Sequence, residues 1–262
     1  MNKLDGILLM PHAATDPVEL ESRLTATIAN SADRILWRTA MATCTIGDLS
    51  RREILKMSAI TGVASVVSTR FAMARTVMPR TPEQILGPFY PLKPLDQNAD
   101  LTRVPGRPGR AEGQVLTVTG RVLNLDGEPV RNAKLEIWQA NAHGRYAHPS
   151  DTNPAPLDPN FEGAAVLTAD DDGRYRFETI KPAAYPVGPH LMRPAHIHFQ
   201  VSGRQDRLVT QMYFEGDPYN ATDRILQTAG RTELLIAKLL PPTPEMEPKS
   251  KLAVFDIVLY AG

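Results

Sequence analysis

The 262-residue sequence predicts a mainly β protein, an antiparallel β-sandwich with long loops and a short helix in its C-terminal half. Three observations predict it. Prolines number 23, about 9% of the chain against an average of roughly 5%, and proline ends helices while fitting turns and sheet edges. Several short segments alternate polar and apolar residues with the period of two that buries one face of a strand. Clusters of Gly, Pro, Asn and Asp punctuate those segments, as they do between the strands of a sandwich.

Taken in order, Thr81-Pro-Glu-Gln-Ile-Leu-Gly-Pro-Phe-Tyr-Pro91 is proline-punctuated and predicts an extended arm, and Arg103 to Arg110 a loop. Val115 to Val122 is a strand, closed by the turn Asn124-Leu-Asp-Gly127. Ala133 to Gln139 alternates over seven residues and predicts a half-buried strand. Asn141 to Phe161 is a long loop with four prolines. Asp170-Asp-Asp-Gly173 is a turn into the alternating strand Arg174 to Ile180. Ala195 to Val201, Leu208 to Phe214 and Leu252 to Leu259 continue the sheet pattern. Arg231 to Leu240, rich in helix formers, predicts the one helix of the body.

Composition narrows the function. Lys+Arg 29 against Asp+Glu 29 leaves no net charge, so neither nucleic acid nor an acidic membrane surface is the expected partner. The single cysteine, Cys44, excludes disulfides within the chain and cysteine-rich metal sites, so any metal is held by His, Tyr or carboxylates. The first 74 residues form a separate problem. Residues 1–49 are expected to be a preface, either disordered or reflecting a mis-assigned start, with some helical periodicity from Val18 to Trp37. Residues 50–74 join Arg51-Arg52, an uncharged run from Met57 to Thr69 and the small-residue site Ala72-Met73-Ala74. That pattern resembles a twin-arginine export signal and is too short for the ~20 residues that span a bilayer. Cleavage after Ala74 would leave residues 75–262 as one cysteine-free domain, exported to the periplasm, with no integral membrane segment; with the signal unused, the expected location is the cytoplasm.

Chemistry concentrates between Tyr146 and Gln211. In Ala195-His-Ile-His-Phe199 the residues two apart share a face, so His196 and His198 project together and Ile197 and Phe199 face the other way. Such a pair is a metal-ligand pair, a polar surface pair or a hydrogen-bonded core pair. No HExxH pattern accompanies it. Tyr146 and Tyr185 lie in loop contexts, Gly-Arg-Tyr and Ala-Tyr-Pro, where a lone tyrosine is ordinarily packing. The loop histidines His143, His148 and His190 are expected bystanders.

The segment Gly127-Glu-Pro-Val-Arg-Asn-Ala-Lys-Leu-Glu-Ile-Trp-Gln-Ala-Asn-Ala-His-Gly-Arg-Tyr146 resembles the signature of the intradiol ring-cleavage dioxygenases. Leu157 to Phe161, Thr179 to Pro182, Arg193 to Phe199 and Gln211 to Pro218 continue the likeness in one order over roughly residues 81–262. It is similar in particular to the iron-bearing subunit of the protocatechuate type. The resemblance implies a non-haem Fe(3+) site held by Tyr146, Tyr185, His196 and His198. Hard phenolate oxygens suit that ion, and its charge keeps both phenols ionised. It implies a small-molecule catechol and O2 as substrates, with the catechol replacing Tyr185 and the ring opening between its two hydroxylated carbons. Arg193 and Gln211 are then the catalytic neighbours, and Phe89, Tyr90 and Val187 the walls of a substrate pocket within the active-site loops. Val187 stands where the protocatechuate type carries tryptophan, which leaves catechol, hydroxyquinol or another substituted catechol as alternative substrates. The resemblance also implies a homo-oligomer or assembly with a related subunit. The strand–turn–strand around Gly127 resembles exported transthyretin-like modules as well, a non-catalytic reading that has no use for the Tyr/Tyr/His/His set.

Overall fold

A computed structural model describes residues 77–261; the expected preface and export signal lie outside the described residues. Two sheets enclose one core. The first is built on β1 (Val115–Leu123), which pairs antiparallel with β4 (Arg174–Ile180) and parallel with the short β10 (Lys251–Val254) and β11 (Ile257–Val258). The second has five strands in the order β3-β2-β7-β8-β9, namely Ala164–Thr168, Lys134–Gln139, His196–Ser202, Arg207–Phe214 and Ile236–Ala237. A separate hairpin joins β5 (Tyr185–Gly188) to β6 (Leu191–Arg193).

The alternation seen in the sequence is the packing. Leu116, Val118 and Val122 of β1 and Tyr175 and Phe177 of β4 meet Leu135, Ile137, Ile197, Phe199, Val201, Leu208 and Met212 of the second sheet. Phe199 contacts both Tyr175 and Phe177, with ring centroids 6.2 and 6.1 Å apart. Burying these side chains supplies the main driving force for the fold. The opposite face of β2, β7 and β8 therefore carries the intervening residues, Trp138, His196, His198, Gln211 and Tyr213.

The expected turns form as their residues dictate. Asn124 Oδ1 accepts the amides of Asp126 and Glu128, and Asp170 Oδ1 accepts those of Asp172 and Arg174. The arm from Thr81 to Pro91 is extended and bonded to both sheets, through Thr81 N to Val258 O and Gln84 N to Val209 O.

Three expectations are corrected. The sandwich is not wholly antiparallel, because β9, β10 and β11 add on in parallel after crossovers from elsewhere in the chain. Arg231 to Leu240 is not a helix: a 3-10 turn, Thr232–Leu234, leads into β9. There Leu235 and Ala237 are both buried, a period of two, and Tyr213 and Phe214 pair with Ile236 and Ala237. The helix of the body is instead α1 (Arg224–Gln227), capped by the Asp223 side chain. Leu252 to Leu259 is not one strand, since it breaks between β10 and β11 at Phe255 and Asp256.

That break has a cause in β1. Phe255 O lies against Gly120, where a Cβ would collide with it, and accepts a hydrogen bond from Tyr175 Oη. Asp256 Oδ1 takes the amide of Arg121 that an unbroken strand would have used. A Gly120→Ala protein is expected to be less stable by about 1–3 kcal/mol, the usual range for overpacking, as read from the midpoint of urea unfolding.

Candidate metal centre

The outer face of the second sheet, the β5–β6 hairpin and the loop after β2 converge on one buried cluster. Strand β7 supplies His196 and His198, paired across the sheet with Tyr213 and Gln211 of β8. Trp138 of β2 faces His198 and stacks on its imidazole, with centroids 4.8 Å apart and planes 10° from parallel. The hairpin supplies Tyr185 and Arg193, which are cross-strand partners.

Tyr146 arrives from the long loop, which its own side chains shape. Asn141 Oδ1 accepts the amides of His143 and Arg145, Gly144 takes a left-handed φ of 77°, and Asp151 Oδ2 accepts the Tyr146 amide at 2.7 Å. A Cβ on Gly144 would lie 2.7 Å from Ala184 O, so glycine lets this turn approach the residue preceding Tyr185.

The four side chains are all buried. His196 Nε2 lies 3.2 Å from His198 Nε2 and 3.4 Å from Tyr146 Oη. The Tyr146 and Tyr185 rings meet edge to face at 5.5 Å, and Tyr185 lies 5.6 Å from His196. His196 Nδ1 donates to Pro194 O at 2.7 Å, which leaves Nε2 as a bare lone pair aimed at its neighbours. His198 Nδ1 has no hydrogen-bond partner. Two imidazole nitrogens and a phenol oxygen crowded together in a buried site fit a small cation between them better than they fit one another.

Electrostatics agree. Burial, and then Tyr185 beside it, pushes the Tyr146 phenol well above its ordinary range. Burial also raises Tyr185, with the Arg193 charge opposing. Both phenols thus stay neutral unless a strong positive charge enters. Burial, then the Arg193 charge, holds His196 down to about 3, and burial followed by the neighbouring His196 pushes His198 well down. Both histidines are therefore neutral and ready to ligate. Among the described residues, no group of three or more His, Cys, Asp or Glu is placed to share an ion.

A pH dependence follows for the metal-free protein. Unfolded histidine takes up its proton near pH 6.5, whereas folded His196 resists until about 3. The unfolded state therefore binds more protons throughout that window, and stability falls as pH drops from about 6.5 towards 3. The limiting slope is ~1.4 kcal/mol per pH unit for each such histidine. Denaturant melts at pH 7 and pH 5 on chelator-treated protein check it, and a stability flat across that interval would contradict it.

Beside the cluster, Arg193 anchors a buried polar network. Its Nε donates to Asp223 Oδ2 at 2.6 Å, and one Nη donates to Gln211 Oε1 at 2.7 Å and Tyr213 Oη at 3.1 Å. Gln211 Nε2 reaches the arm at Ile85 O, and Tyr213 Oη donates to Gln84. A cavity of about 260 Å³ opens here, lined by Phe89, Tyr185, Val187, Arg193 and Ile225 among others. Phe89 and Val187 thus stand at its wall. Tyr90 does not line it: its ring packs edge-on against Trp138 at 5.0 Å, and Glu136 adds to the burial that raises its phenol. His143 pairs with Glu112 at the surface, and His190 sits exposed at the hairpin tip. Trp138, Asp223 and Tyr213 escaped the sequence reading. The period of two places Trp138 and Tyr213 on the ligand face, but no local pattern links Asp223 to Arg193, thirty residues away.

The chain that carries this sandwich and its buried cluster falls in a class of oxygen-using enzymes. The family model described as "Dioxygenase" matches residues 85–261, and the chain belongs to the intradiol ring-cleavage dioxygenases. It is 50% identical over 175 residues to the protocatechuate 3,4-dioxygenase beta chain of Burkholderia cepacia, covering 64% of this chain and 73% of that one. Against hydroxyquinol 1,2-dioxygenase of Rhizobium sp. (strain MTP-10005) it is 32% identical over 205 residues, 71% of this chain and 64% of that protein. The crystallised catechol 1,2-dioxygenase of Acinetobacter sp. ADP1 superposes with a TM-score of 0.55 at 30% identity, over 69% of this chain and 63% of that one. The chain thus spans somewhat under two thirds of the length of these hydroxyquinol and catechol enzymes.

Proposed function

We propose that the protein is a non-haem ferric enzyme that opens a catechol ring between its two hydroxylated carbons with O2, acting on protocatechuate or a similar ring. The observation that carries this is the buried convergence on His196 Nε2, which lies 3.4 Å from Tyr146 Oη and 3.2 Å from His198 Nε2, with Tyr185 edge-on to Tyr146. The names of its relatives support the same chemistry on catechol or hydroxyquinol as the second reading.

Tyr146, Tyr185, His196 and His198 would hold the iron. When bound, ferric iron supplies the Lewis acidity that draws electron density from a catecholate and readies the ring for O2. The chain's own residues do the rest. His196 is fixed in one tautomer by Pro194 O, so its Nε2 is presented as a ligand without rearrangement. Tyr185 sits on the short hairpin beside the cavity, and burial gives its phenol a high proton affinity. With iron bound, Tyr185 would be held as a phenolate, and the high proton affinity of its buried Oη would let it take up a proton from an incoming catechol. Arg193, pinned by Asp223 and Gln211, faces the cavity with a fixed positive charge that favours the anionic form of the ring. Ile85, Pro88, Phe89, Val187 and Ile225 line the rest of the cavity with apolar surface that suits the ring face.

The test is the visible spectrum of the iron-loaded protein under anaerobic protocatechuate. Phenolate-to-iron colour that shifts on adding the catechol, followed by O2 uptake and a muconate product, is the expected result. A protein left colourless after ferric reconstitution would defeat the reading. Residues 50–74 support export by the twin-arginine route as part of the same proposal, and N-terminal sequencing of protein from its host checks it. Sedimentation of that material reports whether the chain assembles with itself or with a related subunit.

A further inference from the structure

We infer that Arg224 determines substrate choice by recognising a carboxylate carried on the catechol ring. This inference rests on the ring-cleaving reading above and names the kind of ring the pocket favours. The cavity beside Tyr185 holds about 260 Å³, just under the roughly 300 Å³ at which drug-sized sites begin, so it suits one substituted ring. Its walls are Ile85, Pro88, Phe89, Val187, Leu191 and Ile225, which offer nothing to an anionic substituent. Its charged lining is Arg193, Asp223 and Arg224 alone.

Arg193 and Asp223 are paired with each other, and the Arg193 charge is the one already assigned to the reacting part of the ring. Arg193 Nε is bonded to Asp223 Oδ2, and its Nη to Gln211 and Tyr213. The other Asp223 oxygen caps α1 by accepting the Leu226 amide at 2.8 Å. Asp223 is buried, both its oxygens are engaged, and it forms no ion pair with Arg224, its chain neighbour. Arg224 is exposed, and among the described residues its guanidinium makes no ion pair and no hydrogen bond. Glu83 shares an adjoining groove with it but is not within ion-pair distance. An arginine with its whole fork free, at an apolar pocket whose single carboxylate is already used, matches a planar carboxylate bidentately.

Anaerobic titration of the iron-loaded full chain with protocatechuate and with catechol, by calorimetry, reads the ratio of the two affinities. The wild type is expected to favour the carboxylated ring, and Arg224→Ala to cut that ratio about tenfold, the worth of one charge-assisted contact at a solvent-facing site. Arg224→Lys, which keeps the charge without the fork, should fall between them. A wild type that favours catechol, or a ratio unmoved in Arg224→Ala, would overturn the inference. Ligands bound with the expected preference but not cleaved when O2 is admitted would defeat the ring-cleaving reading and leave the role of Arg224 standing.

Discussion

Tyr146→Phe is expected to lose both its iron and its turnover. The substitution keeps the ring, its 4.6 Å contact with Phe89 and its edge-on contact with Tyr185, and removes one oxygen. That oxygen is one of two phenolates that would offset the charge of a ferric ion in a buried site. A ligand should be worth more than its supporting partners, whose loss costs roughly 10–100-fold in metal affinity or activity. A drop beyond a hundredfold in kcat/KM is therefore expected, with visible absorption weakened and displaced. The fold should survive, because deleting a buried hydroxyl that bonds loosely to His196 and to Tyr185 removes little packing. Iron content by emission spectroscopy, beside the unfolding midpoint, separates the two effects. Normal iron and normal turnover in this variant would remove Tyr146 from the ligand set.

Arg193→Met should be the most destabilising single change near the site. It leaves the Asp223 carboxylate buried without the 2.6 Å partner that balances it. Breaking a buried pair from one side typically costs about 3–5 kcal/mol, while replacing both members with neutral groups costs far less. Asp223→Asn keeps a good helix cap, so its loss should be smaller, and adding it to Arg193→Met should recover part of the stability. Turnover will not recover with it, since the double variant still lacks the charge facing the ring. Urea unfolding of the four proteins gives the coupling directly. Stabilities that simply add would show that the pair is not an energetic unit.

How much of this was legible beforehand depends on the range of the interaction. Strands β1, β2, β4, β7 and β8 were readable because period-two burial is a local property, and the faces they assign to Ile197, Phe199, His196 and His198 are those observed. Strand β3 and the β5–β6 hairpin were not, because Ala164–Thr168 lacks alternation and the hairpin holds only seven strand residues split by a bulge. The helix at Arg231 failed for a different reason. Its residues favour a helix, but Leu235 and Ala237 find buried places beside β8 that only a two-residue repeat can fill. The Tyr/Tyr/His/His set was visible through resemblance, not through spacing. The Arg193–Asp223 pair and the pocket role of Arg224 depend on how the turn after β8 folds back, which no local pattern encodes.

The arm over the site sets a timescale as well as a wall. Its residues join neither sheet as a strand and are tied down by separate bonds: Gln211 Nε2 to Ile85 O, Thr210 Oγ1 to Pro82 O and Val258 N to Thr81 Oγ1. Gly87 packs so closely on His198 that a methyl there would sit 3.2 Å from Cε1. A segment held by scattered bonds can detach without the sandwich opening, at a fraction of the global unfolding free energy. Amides of Gln84 and its neighbours should then exchange with deuterium well before those of β2 and β7. Loss of metal to a chelator would follow the same opening, so the lifetime of the loaded enzyme would be set by the eleven residues of the arm and not by the core.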